Sequence, residues 1–307
     1  MFSVVIPLYN KESSIKKTIQ SVLEQSFKDF EIIIVNDGST DNSLAVVEEI
    51  NDDRIKIINQ VNQGVSAARN KGIEKARFDW ISFLDGDDLW LPEKLMVMSQ
   101  AIKAHPDVKW LIHAFDSVRN EVERTPNNYN FNGVLEDVLF DLKNKLKIQT
   151  SAVTVNKNCF SDANIHFRVG YNTSEDREVW YKLAFSYPSP YYSNEILSEY
   201  VIDSTGQSLT TNLDNSFNDI CKNINMKDRL EKQIQELSLE RKKAFFYFLE
   251  KINKKDIINF WCVNNKWTSD FNRNFNRFEV FIFKHMKGLP ILLKKIIKKF
   301  FFVIWAV

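Results

Sequence analysis

Cysteine and histidine are scarce in this sequence: its 307 residues include three cysteines and four histidines. Cys159, Cys221 and Cys262 are odd in number and far apart, so they fit neither a disulfide framework nor zinc-ligand spacing. The histidines form no pair that is spaced for metal binding. This content argues against a disulfide-stabilised scaffold and favours a protein of a reducing compartment.

Long apolar runs and two common nucleotide-binding motifs are also missing. No stretch of about 18 apolar residues occurs, so no membrane-spanning helix is predicted. The first residues, MFSVVIPLYN, contain no basic region or cleavage site of a signal peptide. Neither Gly-x-Gly-x-x-Gly nor a phosphate-binding loop ending in Gly-Lys-Ser/Thr is present, which argues against a dehydrogenase or a P-loop enzyme. We therefore expect a cytoplasmic protein that is neither a dehydrogenase nor a P-loop enzyme.

Charge is distributed unevenly, although the whole chain has a formal net charge of +1. Residues 1–221 carry 22 basic and 32 acidic side chains, whereas residues 222–307 carry 19 basic and 8 acidic ones. Such polarity suggests an acidic catalytic part and a basic surface for an anionic partner. Within 289–307, four lysines share one arc of a helix and bulky apolar residues occupy most of the rest. This segment suits a helix lying on an anionic membrane; the alternative is a helix packed on the protein body.

The first 85 residues alternate between strand-like and helix-like segments. Four short runs, 2–8, 30–36, 54–60 and 78–85, are rich in β-branched and aromatic residues, as strands buried on both faces are. Helical periods follow the first three runs. This order predicts βαβ units and a mostly parallel, Rossmann-like sheet flanked by helices, with ligands at the carboxyl ends of its strands.

The next part of the chain continues as a mixture of helices and strands. Residues 91–105 read as a helix, 108–118 as a strand, 125–133 as a loop and 134–146 as an amphipathic helix. A strand over 148–156, a helix over 173–186 and a further strand up to 203 complete the series. From about residue 216 the sequence changes to Lys-, Asn- and Phe-rich helical periods, which predicts a helical C-terminal extension.

Three carboxylates lie within four residues at the end of the fourth predicted strand, in ISFLDGDDLW. Asp85, Asp87 and Asp88 could form a solvated turn, which aspartate and glycine favour. They follow an apolar strand at the predicted ligand edge and are followed at once by Leu89 and Trp90. Mg²⁺ or Mn²⁺ would offset their repulsion, and Mg²⁺ is commonly shared between carboxylates and substrate phosphates. The cluster therefore predicts a metal site for a phosphorylated substrate.

Three segments in order, SVVIPLYNKESSIKKTIQSVLEQSFKDFEIIIVNDGSTDNS, QGVSAARNKG and FLDGDD, resemble glycosyltransferase family 2 proteins of the GT-A fold. The resemblance runs over residues 2–98 and continues more weakly to about 210. It implies an inverting transferase that takes a sugar from a nucleotide diphosphate sugar and uses Mn²⁺ or Mg²⁺. The Gln-x-x-Arg-Trp motif of processive synthases is missing, so transfer of a single sugar is expected.

The resemblance also implies roles for residues on the nucleotide side. Pro7 and Tyr9 look like the turn that packs on the nucleoside, and Glu12 contributes there. Asp37 looks like the aspartate that hydrogen-bonds the uracil ring, and Arg69 resembles the basic residue near the base or the phosphates. The common Asp-Asp-Gly-Ser of the family begins here with Asn36, which leaves the base-contacting position intact.

Further roles concern the metal and the acceptor. Asp85 and Asp87 look like the ends of the DxD motif, in which the first carboxylate meets the ribose or a metal-bound water and the last ligates the metal. In SEDREVW, Asp176 resembles the proposed general base, with Glu175 as neighbour or alternate; both could instead only complement a helix dipole. Asp203 stands where the family often has a histidine, so it could replace a metal or phosphate ligand; the alternative is that this role is absent here.

Together these features predict three regions: a nucleotide-sugar-binding half over 1–110, an acceptor-binding half over 111–215 and a helical, basic region over 216–307. The expected partners are a nucleotide-sugar donor, a glycan or lipid-linked acceptor of surface polysaccharide synthesis, and an anionic membrane face, but not nucleic acid. One alternative is a nucleotidyltransferase, although PLYNKESS offers only Lys11 as a basic residue. The other is a non-catalytic nucleotide- or carbohydrate-binding protein on the same fold.

Overall fold

The computed structural model describes residues 1–120, 122–143, 146–170 and 175–202. The predicted helical region 216–307, the basic segment 289–307 within it, and Asp203 lie outside the described residues. The predicted division near residue 110 stays a prediction. Among the helices that the structure describes, none is long and apolar enough to cross a membrane.

Ten strands in the described part of the chain form one sheet. They are β1 (Phe2–Leu8), β2 (Phe30–Asn36), β3 (Ile55–Asn59), β4 (Trp80–Phe83), β5 (Leu89–Trp90), β6 (Trp110–Arg119), β7 (Glu123–Asn127), β8 (Gly133–Val134), β9 (Val153–Asn156) and β10 (Tyr191–Ile202). The main order is β3-β2-β1-β4-β9-β6-β10-β5, while β7 pairs with β6 and β8 pairs with β10. The first four strands are parallel, and β9 runs antiparallel between β4 and β6.

Helices cover both faces of this sheet. They are α1 (Ile15–Leu23), α2 (Ser43–Glu48), α3 (Val65–Lys75), α4 (Lys94–Ala104), α5 (Val138–Lys143), α6 (Asn158–Asp162) and α7 (Glu175–Ser186), and a 3₁₀ turn spans Thr150–Ala152. One apolar core packs α1, α2 and α4 against the sheet, and the other packs α3, α5, α6 and α7 against the opposite face. In α1 the buried Ile15, Ile19 and Val22 follow the helical spacing that the sequence shows.

Several predicted elements differ from the observed ones. The predicted helix over 134–146 is shorter, because α5 begins at Val138 and the chain before it pairs with β10 as β8. The predicted loop over 125–133 includes the end of β7, whose polar sequence ERTPN gives no strand signal. β3 is an edge strand and is not buried on both faces. Residues 150–152, predicted as strand, form the 3₁₀ turn.

The polar loops after β1, β2 and β4 lie at one edge of the sheet, because these parallel strands all end there. The antiparallel β9 begins at the same edge, since it runs in the opposite direction to β4. The residues that precede β9 are therefore brought to the ends of the N-terminal strands. This arrangement positions the site described next.

Candidate functional site

The loop that follows β4 is fixed by hydrogen bonds from the start of α1. The carbonyl oxygen of Gly86 accepts hydrogen bonds from Ser14 Oγ at 2.8 Å and from Thr18 Oγ1 at 3.2 Å. A Cβ added to Gly86 would lie 3.3 Å from the carbonyl oxygen of Pro7 and 3.4 Å from Cγ of Lys11. A larger residue would therefore crowd the loop between β1 and α1. Close packing at Gly86 fixes the direction of the aspartates on either side of it.

Each aspartate of this loop has a different protein partner. Asp85 Oδ1 accepts a hydrogen bond from the Arg69 guanidinium at 2.7 Å, and Asp87 Oδ2 accepts one from Lys11 Nζ at 2.5 Å. Asp88 is 1% exposed, and its partners are the uncharged groups described in the next paragraph. Burial lowers the pKa of Lys11, but the charges of the three aspartates raise it above its ordinary value overall. The charges of Asp85 and Asp87 are thus partly offset by two cations of the protein itself.

Asp88 connects the loop to β10 and to the residues that precede β9. Its carboxyl oxygens accept hydrogen bonds from Ser151 Oγ and Gln149 Nε2, both at 2.6 Å, and from the backbone N–H of Val201 at 3.1 Å. Burial is the largest cause that raises the pKa of Asp88 well above its usual range, and the charges of Asp87 and Asp85 add to it. The geometry gives Asp88 a structural role, tying the 3₁₀ turn and β10 to this loop.

Arg69 joins the aspartate loop to the start of α7. Its side chain is 5% exposed, and its guanidinium also donates to Glu175 Oε1 at 2.9 Å. Burial lowers the pKa of Arg69, but the charges of Asp85, Glu175 and Asp176 more than offset it and raise that pKa above its ordinary value. The guanidinium lies 5.3 Å from the ring centroid of Phe167. Arg69, predicted near the nucleotide, is therefore engaged by two carboxylates of the site.

Glu175 and Asp176 are neighbours in sequence but have different surroundings. Glu175 is bound by Arg69, and burial raises its pKa above the usual range. Asp176 Oδ2 accepts a hydrogen bond from Thr150 Oγ1 at 2.9 Å, and Oδ1 accepts one from the backbone N–H of Arg177 at 2.7 Å. These hydrogen bonds to Asp176 come from groups other than Arg69, which binds Glu175. The arrangement leaves Asp176 as the better candidate to receive a proton.

On the nucleotide side, Asp37 is 2% exposed and its carboxylate holds the loop before α3. It accepts hydrogen bonds from Gln60 Nε2 at 2.7 Å, from the backbone N–H of Gln63 at 2.9 Å and from that of Gly64 at 2.8 Å. Gly64 has a φ of 89°, which a residue with a side chain rarely adopts. The predicted contact between Asp37 and a uracil ring stays a prediction.

Of the other predicted nucleotide-side residues, Pro7 lies within β1 rather than in the turn after it, and Tyr9 and Glu12 follow on the loop between β1 and α1. Pro7 pairs with Val35 within the sheet. Tyr9 is 45% exposed, so the structure leaves its ring accessible for stacking. Glu12 Oε2 accepts a hydrogen bond from the backbone N–H of Asn42 at 2.9 Å, close to the start of α2. The structure thus brings the predicted nucleotide-side residues to the same edge as the aspartate loop, where Tyr9 and Glu12 are exposed.

The metal prediction concerns Asp85 and Asp87. Within the residues that the structure describes, no group of three or more His, Cys, Asp or Glu side chains is arranged to hold a metal ion. Two carboxylates at the strand edge, 27% and 38% exposed, nevertheless offer oxygen ligands. Mg²⁺ is typically held by one or two carboxylates together with substrate phosphates. The donor set therefore fits a divalent ion that arrives with a diphosphate, and metal binding stays a prediction.

Sequence reasoning missed four residues of the site: Lys11, Gln149, Thr150 and Ser151. The last three were placed in a predicted strand over 148–156 without regard to its direction. Because β9 is antiparallel to β4, the polar residues at its start lie beside the end of β4. The strand direction was the signal that could have located them.

Comparison with known protein families matches residues 3–179 to the family described as glycosyl transferase family 2. The uncharacterized glycosyltransferase EpsJ of Bacillus subtilis is 47% identical over 90 residues, which cover 29% of this chain and 26% of EpsJ. The UDP-Glc:alpha-D-GlcNAc-diphosphoundecaprenol beta-1,3-glucosyltransferase WfgD of Escherichia coli is 38% identical over 105 residues, covering 34% of this chain and 42% of WfgD. These matched segments span less than half of either relative.

Among solved structures, S. aureus TarS 1–349 in complex with UDP-GlcNAc is similar to this chain. Its TM-score is 0.65 at 19% identity, with 86% of this chain and 74% of that chain covered. At this identity the likeness shows the fold and nothing further. The predicted fold class, an α/β GT-A sheet flanked by helices, is confirmed for the described residues.

Proposed function

Because the chain belongs to glycosyl transferase family 2, we propose that it is an inverting glycosyltransferase that moves one sugar from a nucleotide diphosphate sugar to a glycan acceptor. The observation that carries this proposal is the Arg69 bridge. Arg69 binds Asp85 of the aspartate loop and Glu175 at the start of α7 at once. It therefore links the proposed donor site to the start of the helix that carries the proposed base, Asp176.

The proposed donor is a UDP-sugar. Support comes from the name of a similar protein, since WfgD is named for UDP-Glc. In this chain, the exposed ring of Tyr9 is available to stack on the nucleoside, and Asp37 lies at the end of the neighbouring strand. Asp85 and Asp87 would hold Mn²⁺ or Mg²⁺ at the diphosphate. When bound, the ion would neutralise the charge of the departing diphosphate.

Asp176 is the proposed general base. Its carboxylate takes the proton from the acceptor hydroxyl while that oxygen attacks the anomeric carbon from the side opposite the diphosphate. A bond forms between the acceptor oxygen and the anomeric carbon, and the bond from that carbon to the diphosphate oxygen breaks. Attack from the opposite side inverts the configuration. Thr150 binds Asp176, whereas Arg69 binds Glu175. The two neighbouring carboxylates therefore have different partners, which supports different roles for them.

The proposed acceptor is a glycan of surface polysaccharide synthesis, carried on a lipid. WfgD, a similar protein, is named for a diphosphoundecaprenol-linked acceptor. A lipid-linked acceptor would lie at the membrane. The segment 289–307, which is basic on one face and apolar on the rest, would then anchor the enzyme at an anionic membrane face. That membrane contact is a prediction from the sequence, because the segment lies outside the described residues.

The test is a UDP-release assay with a panel of UDP-sugars and lipid-linked or free glycan acceptors. The proposal expects release that depends on one donor, and a fall of about 10²- to 10⁴-fold in turnover for Asp176→Asn because a general base is lost. Asp107→Asn, at an exposed loop position, serves as the matched control and keeps wild-type turnover. UDP binding without release from any donor would favour the non-catalytic binding protein instead.

A further inference from the structure

The three aspartates of the loop after β4 differ in how firmly their partners hold them. Arg69, the partner of Asp85, is 5% exposed, and Asp88 is itself 1% exposed. Lys11 and Asp87 have side-chain exposures of 39% and 38%. Of the two ion pairs in this loop, the one between Lys11 and Asp87 is therefore the more exposed, since Arg69 in the other pair is buried. Exposed ion pairs are weak, commonly worth less than about 1 kcal/mol.

Lys11 is nevertheless directed at Asp87 by its surroundings. Its backbone N–H donates to Ser43 Oγ at 2.7 Å, which fixes the residue at the start of the loop before α1. Its side chain then passes Gly86, where an added Cβ would lie 3.4 Å from Lys11 Cγ. The ammonium reaches Asp87 Oδ2, the oxygen ligand that a divalent ion would need. A flexible cation of the protein therefore contacts one of the two carboxylates of the proposed metal site.

We propose that Lys11 is an exchangeable counter-ion of Asp87, which competes with the divalent ion in the donor-free protein and leaves the carboxylate when the ion arrives with the donor diphosphate. The inference rests on the proposed function, because it assumes that Asp87 is a metal ligand. It follows that the protein alone binds the ion weakly. With UDP present, the diphosphate supplies further oxygen ligands and a negative charge for the freed ammonium, so the ion binds more tightly.

The test is a titration of the full chain with Mn²⁺ in the absence of nucleotide, with free Mn²⁺ followed by electron paramagnetic resonance. Lys11→Met should bind Mn²⁺ about fivefold more tightly than the wild type, because the competing charge is gone. Lys11→Arg should stay within about twofold of the wild type, since it retains a competing cation. Lys16→Met removes an exposed lysine from α1 and controls for the general change in net charge; it should also stay within about twofold.

The inference is overturned if Lys11→Met binds Mn²⁺ no more tightly than the wild type or than Lys16→Met, or binds none. Lys11→Gln repeats the comparison with a polar side chain, should the methionine variant melt at a lower temperature. The same samples are then titrated with UDP. If UDP binds to the wild type but the affinity for Mn²⁺ does not depend on Lys11, only the counter-ion is refuted. If the wild type binds no UDP with or without Mn²⁺, the proposed function fails, whatever the variants show.

Discussion

The two carboxylates at the start of α7 show how single contacts assign different roles to similar side chains. Glu175 is bound by the buried Arg69, and its burial raises its pKa. Asp176, the next residue, meets the hydroxyl of Thr150 instead. The hydroxyl is neutral, so Asp176 lacks the direct ion pair that Arg69 makes with Glu175. Asp176 is therefore better suited than Glu175 to accept a proton from a substrate hydroxyl.

Thr150 should act as a positioning residue for Asp176. Thr150 is 2% exposed, and Thr150→Val would keep its shape while removing the hydroxyl that donates to Asp176 Oδ2. Hydrogen bonds to charged groups contribute roughly 1.5–3 kcal/mol, so we expect kcat to fall by about tenfold or more while KM for the donor changes little. Steady-state kinetics would measure both, and Thr150→Ser should restore kcat. Equal kcat values for the valine variant and the wild type would refute the role.

Helix α3 illustrates how one residue sets the distance between two elements. An added Cβ at Gly72 would lie 2.3 Å from Cγ1 of Val5 on β1, so the helix can approach the strand only because this position is glycine. The β1 strand in turn leads to the loop of Tyr9 and Lys11. The packing of α3 therefore supports the edge of the sheet at which the candidate site lies.

Gly72→Ala should destabilise the protein, although alanine is the better helix former by about 1 kcal/mol. The overlap with Val5 would force a shift of packed groups, and such overpacking commonly costs about 1–3 kcal/mol. Urea unfolding would measure the change. Lys75→Ala on the same helix is the control, since Lys75 is exposed, and should remain within about 0.5 kcal/mol of the wild type. An unchanged or higher midpoint for Gly72→Ala would contradict this account of the packing.

The elements that the sequence predicts well are those whose burial follows one simple pattern. β1 and β2 are buried almost throughout and match their predicted bounds, 2–8 and 30–36. β7 was missed because its sequence, ERTPN, is polar and exposed, and its pairing with β6 depends on tertiary context. α5 is shorter than its amphipathic period suggests, since β10 recruits the preceding Gly133–Val134 as β8. Local pattern therefore identifies central strands better than peripheral pairings.

At the scale of the whole molecule, local sequence pattern also predicts only part of the site. Motif order located the aspartates, Tyr9 and the start of α7, because these follow strands or begin a helix in a recognisable sequence. It could not reveal that Lys11 binds Asp87 or that Thr150 binds Asp176, since residues 76 and 26 positions apart meet only when the sheet is assembled. The antiparallel direction of β9, which brings Thr150 to this edge, is likewise a property of the assembled sheet.

The folded protein buries two basic side chains, His113 on β6 and Lys94 on α4. The pKa values of both depend on this burial. Burial, followed by the charge of Lys94, lowers the pKa of His113 from 6.5 to about 3. Burial lowers the pKa of Lys94 well below its usual value as well. Between pH 6.5 and 3 the unfolded chain therefore binds a proton at His113 that the folded chain does not. Stability falls as the pH drops through this window.

Wild type should accordingly lose about 1 kcal/mol of unfolding free energy from His113 between pH 7 and pH 5.5. His113→Gln removes the titrating ring and should reduce the pH dependence by that amount. Urea unfolding at both pH values measures the difference, and His166→Gln, at an exposed position, should keep the wild-type profile. Equal pH dependence for His113→Gln and the wild type would show that His113 does not titrate as its burial requires.

The central claim is that the edge formed by the loops after β1, β2 and β4 is a nucleotide-sugar site. Calorimetric titration with UDP, with and without Mn²⁺, on the wild type and on Asp87→Ala tests it most directly. We predict that UDP binds to the wild type, that Mn²⁺ strengthens this binding, and that Asp87→Ala abolishes the effect of the metal because a ligand is lost. Absence of UDP binding to the wild type in both conditions would contradict the claim.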